Sequence, residues 1–78
     1  MNDEQRLRAF LLERFPGFDE HFDADAELSG VVDSLGLFDV VDFVERDLGV
    51  DVPTAEFSPL KFSSIRRILN LVEELRSP

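Results

Sequence analysis

The feature that most constrains this chain is a long helical pattern that starts at a serine. Residues 34–48 place apolar side chains at helical spacing, Gly49 follows as a typical helix terminator, and Asp33 stands directly before Ser34. Either Asp33 or Ser34 can cap this helix, because a short side-chain oxygen accepts hydrogen bonds from the free amides of a first turn. The sequence therefore predicts a helix whose first turn holds a hydroxyl beside a carboxylate.

Ser34 is well placed to carry a phosphate ester. The positive end of the helix dipole and the unsatisfied amides of the first turn both favour an anion at this point. Gly36 is expected to leave one side of the first turn open, so that another protein can approach the hydroxyl closely. The simpler interpretation, which the residues around Ser34 leave open, is that Asp33 and Ser34 only cap the helix.

The predicted helix has an apolar face and an acidic face. Asp39, Asp42 and Glu45 are spaced by three, and like charges this close repel one another by about a few tenths of a kcal/mol per pair. Phe38 lies at the border of the two faces, one turn from Ser34, and is either a core residue or an apolar contact for a partner protein. The apolar face consists of Leu35, Val41, Val44 and Leu48, widened by Leu37, Val40 and Phe43.

Further helical segments complete an all-α prediction. They are residues 3–15, after a capping box at Asn2; residues 58–62, a short segment; and residues 64–76, capped by Ser63 or Ser64. We therefore expect a single domain over residues 1–78, folded as a small four-helix bundle of three long helices and one short helix.

A long connection, residues 16–33, joins the first two long helices. His21 has neither a cysteine nor a second histidine near it and is predicted to be an ordinary loop residue. Residues 23–27 begin like a calcium-binding loop, but Leu28 and Ser34 stand where that pattern needs glycine and glutamate. No metal site is therefore predicted. The side chains expected to anchor the connection on the helices are Phe18, Phe22, Leu28, Val31 and Val32.

Charge and cysteine content narrow the possible functions. The chain of 78 residues has a net charge of −9 and no cysteine, so a thiol needed for function must come from a prosthetic group. An acidic field repels nucleic acid and anionic membranes, and it attracts basic protein surfaces. No apolar run approaches the roughly 20 residues that span a bilayer, and the amino terminus lacks a signal-peptide core. We expect a cytoplasmic monomer.

The residues around the serine resemble a known attachment motif. Residues 33–36, Asp-Ser-Leu-Gly, followed by an acidic amphipathic helix, are similar to acyl carrier proteins and the related peptidyl carrier domains. The order of helices resembles that family over essentially the whole chain, in particular its specialised freestanding bacterial members. The chain departs from the family pattern at two places. Residues 30–32 are Gly-Val-Val, where many fatty-acid carriers have Leu-Gly-Xaa, and Arg46 stands where the family helix is usually acidic. Both departures favour a specialised pathway over housekeeping fatty-acid synthesis.

The resemblance implies a role for Ser34 and a set of partners. In that family a phosphopantetheinyl transferase attaches 4′-phosphopantetheine from coenzyme A to the serine, and the thiol of this arm holds an acyl or aminoacyl group as a thioester. The other implied partners are a loading ligase and downstream acyl-processing enzymes of lipid or secondary-metabolite synthesis. The chain itself would not be an enzyme. Residues implied in partner recognition are Asp33, Leu35, Phe38, Asp39, Asp42 and Glu45.

Two other classes of function stay open at this point. An acidic interaction domain of the same fold would use its helix only for docking, and only a modified serine separates it from a carrier. A serine enzyme needs a positioned base and an oxyanion site, whereas His21 lies in the connection and so small a chain has little surface for a deep cavity. Several apolar residues could line a groove that holds cargo, among them Val31, Phe43, Ile65 and Leu69. Alternatively they fill the core, which would favour a short or polar cargo.

Overall fold

Three α-helices organise the protein. The computed structural model describes residues 2–77 and contains α1 (Asp3–Arg14), α2 (Ser34–Asp47) and α3 (Ile65–Arg76), with a single 3-10 helix at Thr54–Glu56. No β-strand occurs among these described residues, which confirms the all-helical class. The predicted bounds of the three long helices differ from the observed ones by one residue at one end of each helix.

Each α-helix begins at a side-chain cap that the sequence supplies. Asn2 and Gln5 form a capping box, in which each side chain accepts a hydrogen bond from the other residue's amide. Asp33 caps α2 and Ser64 caps α3. Ser34 and Ser63, the alternative caps that the sequence left open, do not have this role. Gly49 follows α2 with a φ of 72°, a left-handed conformation that favours glycine.

Apolar side chains from all three helices form one buried core. On α2 the buried face is centred on Val40 and Val44, and this corrects the predicted position of Leu35. Leu35 lies half a turn around the helix from Val44, so its side chain points away from the core and is 77% exposed. The buried helical residues are Leu7, Leu11, Val40, Phe43, Val44, Ile65, Ile68, Leu71 and Val72.

The α1–α2 connection, residues 15–33, is attached to the start of α3. The Leu28 amide donates to the Ser63 carbonyl at 2.8 Å, and the Arg66 amide donates to the Ala24 carbonyl at 2.9 Å. These bonds satisfy backbone groups that would otherwise be unpaired at the end of a helix. As expected, apolar side chains also anchor the connection; Phe18 and Leu28 are buried, and Phe22, Val31 and Val32 are half-buried.

The predicted helix over residues 58–62 is wrong. This segment forms turns, and helical geometry falls earlier, in the single 3-10 turn at Thr54–Glu56. Ser58 Oγ accepts from the Leu60 amide at 3.2 Å, while Ser63 Oγ donates to the Leu60 carbonyl at 2.9 Å. Such local side-chain bonds compete with regular helical hydrogen bonds. The described residues therefore form a three-helix arrangement and not the expected four-helix bundle.

An ion pair joins the 3-10 helix to the turns that follow it. Lys61 Nζ lies 2.9 Å from Glu56 Oε2, and the hydrogen bond and charge of Glu56 raise the pKa of Lys61 above its ordinary value. Lys61 therefore keeps its positive charge at neutral pH, and the ion pair links the 3-10 helix to the turns. None of the helices within residues 2–77 has the length and apolar character that crossing a membrane requires.

Candidate functional site

Ser34 is the first residue of α2, and its side chain is exposed. The preceding residue provides the cap: Asp33 Oδ1 accepts from the Gly36 amide at 2.7 Å, and the Asp33 carbonyl accepts from the Leu37 amide at 3.0 Å. The amides of Ser34 and Leu35 have no hydrogen-bond acceptor within residues 2–77. They remain available as donors at the positive end of the helix, beside the serine hydroxyl.

An open groove of about 490 Å³ lies directly beside Ser34. Its walls come from the α1–α2 connection, from the first turn of α2 and from the turns at residues 59–63. Most of the lining is apolar. The apolar side chains that line the groove are Leu28, Val32, Leu37, Pro59, Leu60 and Phe62.

The groove residues differ from those that the sequence suggested. None of Val31, Phe43, Ile65 and Leu69 lines the groove; Phe43 and Ile65 belong to the buried core instead. Helical periodicity pointed to the interior of the bundle, whereas the groove lies at one end of it. Its outer wall depends on turns that were mistaken for a helix. The signal that could have indicated this outer wall is the pair of apolar residues Pro59 and Leu60, in a segment too short to form an amphipathic helix.

Gly36 has a different role from the one predicted. It is buried and faces Phe15, the residue directly after α1, and a Cβ atom at this position would lie 2.6 Å from Phe15 Cε1. The glycine therefore allows the first turn of α2 to pack closely against the Phe15 ring. It leaves no opening toward a partner protein. Gly36 instead positions the turn that carries Ser34.

Replacing Gly36 with alanine is expected to destabilise the fold by about 1–2 kcal/mol, because overpacking outweighs the gain in helix propensity. The new methyl group would also lie 3.2 Å from Asp33 Oδ1, which caps the helix. Urea unfolding would measure the change. Gly30→Ala is the matched control, since a Cβ there meets nothing within 4 Å. Equal stability of the two variants would contradict the assigned role.

The acidic side chains predicted on α2 all have contacts within the molecule. Two of them form ion pairs with arginines at the surface, so their charges are partly neutralised. The third accepts a backbone hydrogen bond, which leaves its negative charge in place. The contacts are Asp39 with Arg14 at 3.2 Å, Asp42 with Arg46, and Glu45 with the Val52 amide at 3.0 Å.

Two apolar side chains stand out on the exposed face of α2, close to Ser34. Leu35 is 77% exposed and Phe38 is 60% exposed, which decides the open question about Phe38 in favour of the surface. The Phe38 ring contacts Phe57 edge to face, with ring centroids 5.1 Å apart. The structure therefore brings Ser34, Leu35 and Phe38 together on one surface.

The single histidine lies apart from this arrangement. His21 is exposed in the connection, 3.7 Å from Glu20, and is not part of the groove lining. Asp23 uses a side-chain oxygen to accept the Asp25 amide at 2.8 Å, which forms a local turn. Within residues 2–77, no group of three or more His, Asp or Glu side chains is arranged to hold a metal ion.

Comparison with known proteins gives one informative similarity. No protein-family model matches the chain. The chain is 32% identical over 47 residues to the probable acyl carrier protein PigG of Serratia sp. (strain ATCC 39006). The aligned part covers 60% of this chain and 54% of the Serratia protein, so the match spans about half the length of that relative. Over the aligned part the chain is therefore similar to a probable acyl carrier protein.

Proposed function

We propose that this protein is a carrier domain that bears 4′-phosphopantetheine on Ser34 and has no catalytic activity of its own. The observation that carries the proposal is the position of Ser34, exposed at the first residue of α2 and beside an apolar groove. The similarity to a probable acyl carrier protein supports it. When attached, the group supplies a thiol that holds an acyl or aminoacyl cargo as a thioester.

The surroundings of Ser34 fit a phosphate ester. A phosphopantetheinyl transferase would join the Ser34 oxygen to the phosphorus of coenzyme A that bears the pantetheine arm. The pyrophosphate bond would break, adenosine 3′,5′-bisphosphate would leave, and the hydroxyl proton would pass to a base. The free amides of Ser34 and Leu35 and the helix dipole favour the resulting anion. The apolar groove offers a surface for the uncharged part of the arm or its cargo.

The exposed face of α2 is the surface on which we expect partner enzymes to dock. Leu35 and Phe38 offer a small apolar contact next to the attachment point. Around them, Asp33 and Glu45 attract basic groups of a transferase, a loading ligase and downstream acyl-processing enzymes, whereas the attraction of Asp39 and Asp42 is reduced by their ion pairs with Arg14 and Arg46. Binding should be weak and sensitive to salt, since a carrier exchanges partners.

A specialised pathway fits this chain better than housekeeping fatty-acid synthesis. Residues 30–32 and Arg46 depart from the pattern of fatty-acid carriers, and Arg46 pairs with Asp42, which neutralises one acidic group of the docking face. A partner set adapted to this altered face is the simplest explanation. The cytoplasmic location expected from the sequence stays a prediction.

Thiol titration tests the proposal without background, because the chain contains no cysteine. After incubation with coenzyme A and a broad-specificity phosphopantetheinyl transferase, followed by removal of small molecules, we expect one titratable thiol per chain. The untreated protein should give none. If the treated protein also gives none, while a known carrier in the same reaction gains its thiol, the unmodified acidic interaction domain becomes the better description.

A further inference from the structure

Two arginines from different places in the fold form ion pairs with acidic side chains of α2. Arg14, the last residue of α1, lies 3.2 Å from Asp39 Oδ2, and Arg46 pairs with Asp42 one turn away on α2. All four side chains line one depression between α1 and α2, together with Phe10, Phe43 and Asp47. We call these four residues the arginine-paired surface.

This neutral surface lies in the most acidic part of the chain. Aspartate and glutamate outnumber arginine and lysine by 11 between residues 16 and 57, where Arg46 is the single arginine and no lysine occurs. The two acids and two arginines of the arginine-paired surface cancel formally, and Asp47 adds a third acidic group to the lining of the same depression. Negative charge persists beside it at Glu45, which accepts a backbone amide and has no counter-ion in that contact. The docking face therefore alternates in charge.

All four side chains are at least two-fifths exposed, so the pairs are open to competition from a partner. A basic partner group that approaches Asp39 or Asp42 must displace a guanidinium and then remains close to it. Like charges at such distances repel each other, most strongly at low ionic strength. Repulsion of this kind selects against a partner as effectively as new contacts select for one.

We propose that Arg14 and Arg46 are specificity-determining residues, which reject uniformly basic docking surfaces and favour a partner enzyme whose surface carries acidic as well as basic groups. This inference rests on the proposed carrier function, because it concerns the enzymes that dock beside Ser34. The partner of matching charge would place a carboxylate opposite the arginines and a basic group opposite Glu45.

The test is a titration of isotope-labelled protein with two peptides, hexalysine and an alternating glutamate–lysine hexapeptide, followed through the amide signals of residues 39–46 at low ionic strength. We expect hexalysine to bind the variant Arg14→Gln/Arg46→Gln at least about threefold more tightly than it binds the wild-type protein. An effect of this size lies within the range for surface ion pairs. The alternating peptide should bind no more tightly. Arg14→Lys/Arg46→Lys should restore the original affinities.

The matched control is Arg66→Gln/Arg67→Gln, which removes the same charge from α3 and opens the Arg66–Asp25 pair instead. The inference is overturned if this control tightens hexalysine binding at residues 39–46 as much as Arg14→Gln/Arg46→Gln does. It is also overturned if Arg14→Gln/Arg46→Gln raises the affinity for both peptides equally, or if it changes the affinity for neither peptide. Arg46→Gln alone serves if the double variant unfolds, since Arg46 pairs within its own helix. The titration needs neither coenzyme A nor a modified serine, so its failure is distinguishable from failure of the carrier proposal.

Discussion

Replacing Ser34 with alanine is expected to abolish attachment of phosphopantetheine completely and to leave the fold intact. The substitution removes the hydroxyl that forms the ester bond and no other group. Asp33 supplies the cap of α2, so the helix keeps its start, and alanine is a good helix former. Intact-protein mass spectrometry after incubation with coenzyme A and a transferase measures the outcome, and circular dichroism checks the fold.

Ser29→Ala is the matched control for this experiment. Ser29 is an exposed serine that lines the same groove as Ser34, but it lies in the α1–α2 connection. We expect phosphopantetheine to be attached to this variant to the same extent as to the wild-type protein. An adduct that persists in Ser34→Ala, or that is lost in Ser29→Ala, would place the attachment point elsewhere.

Replacing Leu28 with alanine is expected to destabilise the protein by about 2–5 kcal/mol, the range for truncation of a buried leucine. Leu28 is 2% exposed, forms part of the groove wall and fixes the connection through its backbone. Its amide donates to Ser63, and its carbonyl accepts from Val31 and Val32 at 2.9 and 2.7 Å. A chain of this size has a total stability of roughly 4–12 kcal/mol, so the loss should be large.

Leu60→Ala provides the comparison for Leu28→Ala. Leu60 lines the same groove but is 65% exposed, so its truncation should change the free energy of unfolding by no more than about 0.5 kcal/mol. Urea or thermal unfolding followed by circular dichroism measures both variants. Similar losses at the two positions would show that the connection is not anchored through Leu28 as described.

Local patterns in the sequence were sufficient to predict the helices and their starts. Apolar residues recur at helical spacing in three long segments, and each segment follows a residue that can cap it. Asp33 illustrates why such predictions succeed, because its hydrogen bond to Gly36 spans only three residues. The position of Ser34 at the start of α2 follows from the same local information.

Features that depend on contacts between distant residues could not be predicted in this way. The role of Gly36 depends on Phe15, a residue of the preceding connection. The pair of Arg14 with Asp39 forms only after α1 and α2 pack together. The segment over residues 58–62 contains good helix-start signals, yet it forms turns in which Ser58 Oγ accepts from the Leu60 amide and Ser63 Oγ donates to the Leu60 carbonyl. Tertiary contacts determine the first two features, and local side-chain hydrogen bonds accompany the third.

The exposed apolar residues show a related limit of sequence patterns. Leu35 was predicted to lie on the apolar face of α2, but it precedes Val44 by nine residues, which places it half a turn away around the helix. In the structure that face is narrow enough to leave Leu35 and Phe38 in solvent beside Ser34. An apolar side chain that lies exposed beside the candidate attachment point is consistent with a docking role.

The most direct test of the central claim is to locate the modification by fragmentation mass spectrometry, after incubation of the protein with coenzyme A and a phosphopantetheinyl transferase. The carrier account predicts one phosphopantetheine per chain, attached to Ser34. No adduct in a folded sample, under conditions that fully modify a known carrier, would contradict the account. An adduct located on any other serine would contradict it as well.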